Sequence, residues 1–171
     1  GLMRRVYFMW MVLAGGLVGL ISCRSSAFAA STLLFNYSKE WRYNDSGTDL
    51  GTAWKEKTFF DSSWPSQAGV FVASRGSSEP LHKTAVASGA TVSMPLLQRM
   101  NSAGTAQVST YYFRTKFDFS GATSGVLLTF SNLVDDGAVF WLNGGELTRT
   151  HMPAGTVSYA TYTGGNQVEV S

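Results

Sequence analysis

The stretch TYYFRTKFDF over residues 110–119 leaves this chain little choice of fold. Read at the two-residue period of a strand, Tyr111, Phe113, Phe117 and Phe119 fall on one face, and Tyr112, Arg114, Lys116 and Asp118 on the other. A slip of one residue would turn four aromatics into water, so the register is firmly specified. The segments that follow keep the same style. Residues 126–130 are apolar on both faces apart from Thr129, which predicts a central strand of a sandwich. Asp135-Asp136-Gly137 interrupts, residues 138–142 form the next strand, and Asn143-Gly144 is a strong hairpin turn because both residues tolerate positive φ. Residues 146–150 then return.

The first half is looser. Trp41 and Tyr43 share a face of a short strand, and residues 44–51 make a polar, turn-rich loop. Trp54 and the run Phe59-Phe60-Asp61-Ser62-Ser63-Trp64 add aromatic bulk. Residues 73–92, small and polar, predict a long surface loop, and residues 93–100 one short helical turn with Pro95 near its start. Residues 157–162 read as a late strand, and residues 167–171 as the opening of another. The expected fold is an all-β antiparallel β-sandwich over residues 30–171, with the sequence stopping inside the domain.

Residues 1–29 read differently. Arg4 and Arg5 precede an apolar run from Val6 to Ile21, and Ala27-Phe28-Ala29 is a small-x-small pattern. Together these describe a secretory signal helix cleaved after Ala29. Leu20-Ile21-Ser22-Cys23 also matches a lipobox, which would make Cys23 the lipidated first residue of a lipoprotein. Both routes predict an exported chain, secreted, periplasmic or held at the cell surface, meeting the membrane only through the leader or that lipid.

Three of the thirteen Lys and Arg precede residue 30, and all eleven Asp and Glu follow it. The remainder therefore carries ten basic against eleven acidic residues. Its net charge of −1 gives nucleic-acid binding no support. Cys23 is the only cysteine, so a domain that starts at residue 30 forms no disulfide and rests on its core.

Three strings resemble a known family. WRYNDSGTDLGTAWKEKTFFDSSW at residues 41–64 looks like the opening of a galactose-binding-domain-like jelly roll. TYYFRTKFDFSG at 110–121 looks like its tyrosine-phenylalanine-arginine strand. DDGAVFWLNGGELTRTHMPAG at 135–155 resembles its aspartate-glycine, asparagine-glycine, arginine and methionine-proline signature. The resemblance spans roughly residues 41–162 and implies a jelly-roll sandwich. Such modules are appended to glycoside hydrolases and metallophosphoesterases of secreted bacterial proteins, where they bind sugars, so it also implies further domains in a longer parent. Two departures lie at loop positions. Val70-Phe71-Val72-Ala73 stands where the family has leucine-glycine-tyrosine-glycine, and His151 stands where asparagine is usual.

The residues carry no catalytic set. His82 and His151 are the only histidines and lack a zinc-binding spacing. No G-x-S-x-G elbow or phosphate loop occurs. Asp135 and Asp136 are adjacent and point in opposite directions on an extended chain, so they do not flank one glycosidic bond. Asp136 otherwise caps a turn at Gly137. Galactose-binding-like modules often hold a structural calcium, but no oxygen-rich loop here demands one. The candidate ligand-binding residues are Trp64, Arg75, Asp136, Arg149 and His151, taken as loop groups able to stack on or hydrogen-bond a sugar. Each has a plainer reading. Trp64 is equally at home in a core, and Arg149 could bridge to Asp135 or Asp136. Trp141 points opposite to Phe140 and Leu142, either covering the second sheet face or standing out to solvent. The functional expectation is a non-catalytic carbohydrate-binding module. The rivals are an accessory domain of a secreted hydrolase and a purely structural or adhesive module.

Overall fold

A computed structural model describes residues 4–13, 16–25, 32–36, 38–68, 71–72, 100–121, 124, 126–134 and 136–163. For residues 4–25, Val72, Phe130 and Leu133 it describes the backbone only. The described residues hold ten strands, β1 (Arg4–Leu13), β2 (Gly16–Ser25), β3 (Thr32–Phe35), β4 (Glu40–Asn44), β5 (Ser66–Ala68), β6 (Phe71–Val72), β7 (Tyr111–Phe119), β8 (Val126–Val134), β9 (Gly137–Leu142) and β10 (Gly145–Thr150). The one short helix among the described residues is a 3-10 turn at Ala53–Lys55.

Every described strand pairing is antiparallel. The larger sheet has six strands in the order β10-β9-β1-β7-β4-β5. In the smaller one, β2 pairs with β8 on one side and with β3 and β6 on the other. The chain is therefore all-β.

The alternation in β7 fixes how the sheets meet. Tyr111, Phe113 and Phe117 face the smaller sheet, together with Trp41 of β4 and Ala138 and Phe140 of β9. That sheet contributes Phe35 and Phe71. The Phe35 ring lies 5.6 Å from Phe117, and Phe71 lies 4.7 Å from Phe113. Such tilted and edge-on pairs add about 0.5–1.5 kcal/mol each beyond the area they bury.

The structure departs from the sequence reading in four places. Residues 4–13 and 16–25 are extended, with β1 between β7 and β9, where a leader helix was expected. β8 runs to Val134 and pairs only with β2, with Leu127 60% exposed, so among the described residues it stands at an edge and not in the centre. Its two apolar faces therefore do not signal burial on both sides. Residues 157–162 are not a strand but an irregular segment closed by a Thr161 N–H bond to the Ser158 carbonyl at 3.1 Å. Finally, Tyr112 and Arg114, on the face of β7 expected to be polar, are as deeply buried as the aromatics. The loop of 73–92, all but Met100 of the helical turn of 93–100, and the strand of 167–171 lie outside the described residues.

Candidate functional site

What buries Tyr112 and Arg114 is a second apolar layer, made largely of loops. Trp54 and Trp64 pack with Tyr112 and Val139, and Leu50, Phe59, Trp141, Met152, Val157 and Tyr159 close around them. Residues 50–64 and 152–159 thus lie over the face of the large sheet that points away from the smaller one. Trp54 meets Tyr112 edge-on at 4.7 Å, and Phe59 meets Trp64 at 5.6 Å.

An ion pair holds this layer down. Arg114 Nε donates to Asp61 Oδ2 at 2.7 Å, and both side chains are almost fully buried. The Arg114 guanidinium also donates to the carbonyls of Trp54 and Glu56 and lies over the Phe59 ring. One side chain therefore satisfies backbone acceptors of the loop that covers it, as a buried charge requires. Arg42 and Lys116 approach the same carboxylate at 3.8 and 3.9 Å.

Between residues 51–55 and 157–159 the layer leaves a small concavity, lined by Trp54, Lys55, Tyr112, Trp141, Ser158 and Tyr159. Its volume of about 20 Å³ suits one water-sized group. The Lys55 ammonium sits 3.8 Å from the Trp141 ring centroid, a cation–π contact. The Trp141 Nε1–H is buried and has no acceptor among the described residues. An unsatisfied buried donor costs about 1–3 kcal/mol, so this polar atom stands out in an otherwise satisfied layer.

Tyr112 makes the layer sensitive to alkali. Burial, the largest influence, pushes its phenol from 10.0 up to about 12; the Leu50 N–H it accepts pulls the other way, while Asp49 and Tyr159 add to the rise. A phenol raised in the folded state favours the neutral form. Its contribution to stability is complete below pH 10 and is lost as pH climbs towards 12. Tyr43 is raised as well, by burial first and Asp45 second. Tyr112→Phe is therefore expected to shrink the alkaline loss of stability without abolishing it, as read from chemical unfolding midpoints across that range. An unchanged alkaline profile in Tyr112→Phe would refute the assignment.

The residues picked from sequence are not gathered into one place. Trp64 is 9% exposed, packed in the loop layer, and its carbonyl accepts from Arg42 at 2.8 Å. Its ring is a core element here and not an open stacking platform. Arg75 lies outside the described residues. Asp136 and His151 do come together, at the open end of the β9–β10 hairpin, with Arg149 two residues before His151 on β10. The His151 Nδ1–H donates to the Asp136 carbonyl at 3.0 Å, and both residues hold positive φ. Arg149 does not bridge to Asp136 but binds Glu146 through two bonds of 2.7 and 2.8 Å, and also donates to the carbonyls of Pro153 and Gly155.

A β-bulge explains that pairing. Residues three apart on a regular strand point to opposite faces. Here Glu146 opposes Trp141 and Arg149 opposes Val139, with the register shifting between Glu146 and Thr148. Leu147 is the extra residue, so Glu146 and Arg149 share a face. Arg149 then fixes the turn that carries Met152 into the loop layer. Gly137 is needed beside it, since a Cβ there would come within 2.6 Å of Thr163 and 3.0 Å of the Met152 sulfur.

No protein-family model, curated protein or solved structure matches this chain. The site must therefore be judged on its own chemistry. Sequence reasoning missed Lys55, Tyr112 and Tyr159 as its neighbours. Tyr112 alternates with the core aromatics and looked solvent-facing, and Tyr159 lies in a segment expected to be a strand. Among the described residues, no three His, Cys, Asp or Glu side chains converge as metal ligands.

Proposed function

We propose that this chain is an exported, non-catalytic carbohydrate-binding module of jelly-roll type, which directs a larger bacterial protein to a glycan surface. The observation that carries this reading is the concavity where Trp54, Tyr112, Trp141 and Tyr159 meet the polar groups of Lys55 and Ser158. Apolar rings with a few convergent polar groups are the usual make-up of a small-ligand site. The galactose-binding-like strings at residues 41–64, 110–121 and 135–155 support the same class. Arg149, His151 and Asp136 then serve the site by shaping the Met152-Pro153 turn beside it.

The leader belongs to this proposal. Cleavage after Ala29 would remove β1 and β2, so β7 and β9 of the exported form would take other neighbours. Expression of the full chain in a bacterial host tests both parts together. The exported product is expected to show an intact mass starting at Ala30, or a lipidated Cys23, and to bind selectively on a glycan array. Trp141→Ala is expected to abolish that binding while leaving the circular dichroism of the chain unchanged. An uncleaved product would remove the leader, and a folded chain blank on the array would remove the glycan reading.

A second reading, a structural or adhesive module without a small ligand, is favoured by two observations. Trp64 is buried, and Arg149 spends its donors on Glu146 and two backbone carbonyls. The blank array is the result it predicts.

A further inference from the structure

We infer that Asn143 is a site of spontaneous covalent modification, at which the tip of the β9–β10 hairpin loses ammonia and becomes acidic. Of the six asparagines in the chain, only Asn143 is followed by glycine. Having no Cβ, that glycine lets its amide nitrogen close on the preceding side chain. The Gly144 nitrogen attacks Cγ of Asn143, the new N–Cγ bond closes a succinimide ring, and the Cγ–Nδ2 bond breaks. The proton on the Gly144 nitrogen passes through solvent water to the departing nitrogen, which leaves as ammonia. Water then opens the imide at either carbonyl, giving aspartate or, where the chain continues through the side chain, isoaspartate.

The fold separates this pair from a second one of the same make-up. At Asp136-Gly137, the glycine is buried as the first residue of β9, with Thr163 and Met152 against its Cα. The Asp136 carbonyl is held there by His151. Asn143, by contrast, is exposed, and it and Gly144 occupy the two central positions of the turn with φ of 51° and 88°. In a two-residue hairpin the ladder joins the flanking residues, here Leu142 and Gly145, so the Gly144 amide stands outside it.

The product matters because of its neighbour. The Glu56 carboxylate rests against Gly144, where a Cβ would come within 3.0 Å of Oε2 and 3.3 Å of Oε1. A new carboxylate one residue away repels it. Glu56 follows the 3-10 turn whose Lys55 lies on the Trp141 ring, and its own carbonyl accepts from Arg114. Modification at Asn143 therefore loosens the seat of residues 53–56 on the hairpin that carries Trp141. The inference stands apart from any glycan.

The test incubates the full chain in mildly alkaline buffer beside a synthetic peptide of residues 140–146, and follows both by peptide mass and isoaspartate content. The folded chain is expected to gain an acid in place of the amide at Asn143, ahead of the other five asparagines. Asn143→Gly, which keeps positive φ open at that position, is expected to lose this gain entirely. Conversion of the peptide while Asn143 of the folded chain stays an amide overturns the inference, as does earlier conversion at another asparagine. For the consequence, Asn143→Asp is expected to lower the urea unfolding midpoint at low salt. Glu56→Gln is expected to cancel most of that drop, and added salt to do the same. No drop, or an equal drop in the Glu56→Gln background, overturns the coupling to Glu56.

Discussion

Arg114→Ala is expected to lower folding stability by about 3–5 kcal/mol, the cost of breaking a buried pair by removing one partner. The loss has two sources. Asp61, 5% exposed, would keep a carboxylate with its closest cation gone. The carbonyls of Trp54 and Glu56 would lose the guanidinium that holds them, so the whole loop layer over Tyr112 would loosen. Urea unfolding midpoints would measure it. A double replacement by apolar residues, Arg114→Met with Asp61→Leu, is expected to recover a large part of the loss, because neither charge is then stranded. If Arg114→Ala proves neutral, the pair is not what anchors the layer.

Phe113→Ala is expected to be comparably damaging, at about 3–5 kcal/mol, through lost burial and the cavity left behind. Phe113 is 1% exposed and stands where the two sheets meet, 4.7 Å from Phe71. The informative control is Phe60→Ala. Phe60 is 77% exposed between the partly buried Phe59 and the buried Asp61, and its removal should stay within about 0.5 kcal/mol. Thermal or urea unfolding of the two variants side by side checks whether burial decides the difference. Similar losses in both would show that the sheets do not pack through this ring.

Alternation over residues 110–119 and the Asn143-Gly144 turn gave β7, β9 and β10 almost residue for residue, because strand period and turn φ are local properties. Asn143 and Gly144 do hold φ of 51° and 88°. The loop layer was not legible in the same way. Whether Tyr112 meets water depends on residues some fifty positions away, and nothing in its own neighbourhood records that Trp54 will cover it. Arg114 looked like a surface charge for the same reason. Its partner Asp61 sits in the segment FFDSSW, 53 residues earlier. The bulge at Leu147 hid Arg149's true partner, since period-two counting puts Glu146 on the wrong face. The concavity beside Trp141 depends on all of these at once, which is why the residues chosen by type alone, Trp64 above all, did not mark it.

The bulge has a consequence for how such units can be crowded together. Among the described residues β10 ends the larger sheet, and an end strand with a regular row of free amides and carbonyls invites another chain to zip onto it. Leu147 interrupts that row, while the opposite end, β5, is only three residues long and follows Pro65. Both rims of the sheet are thus blunt. Copies strung in series, or packed densely on a surface, could touch without growing into a fibre. Deleting Leu147 would leave Glu146 and Arg149 on one face and yet restore a straight ladder, turning a blunt end into a cohesive one.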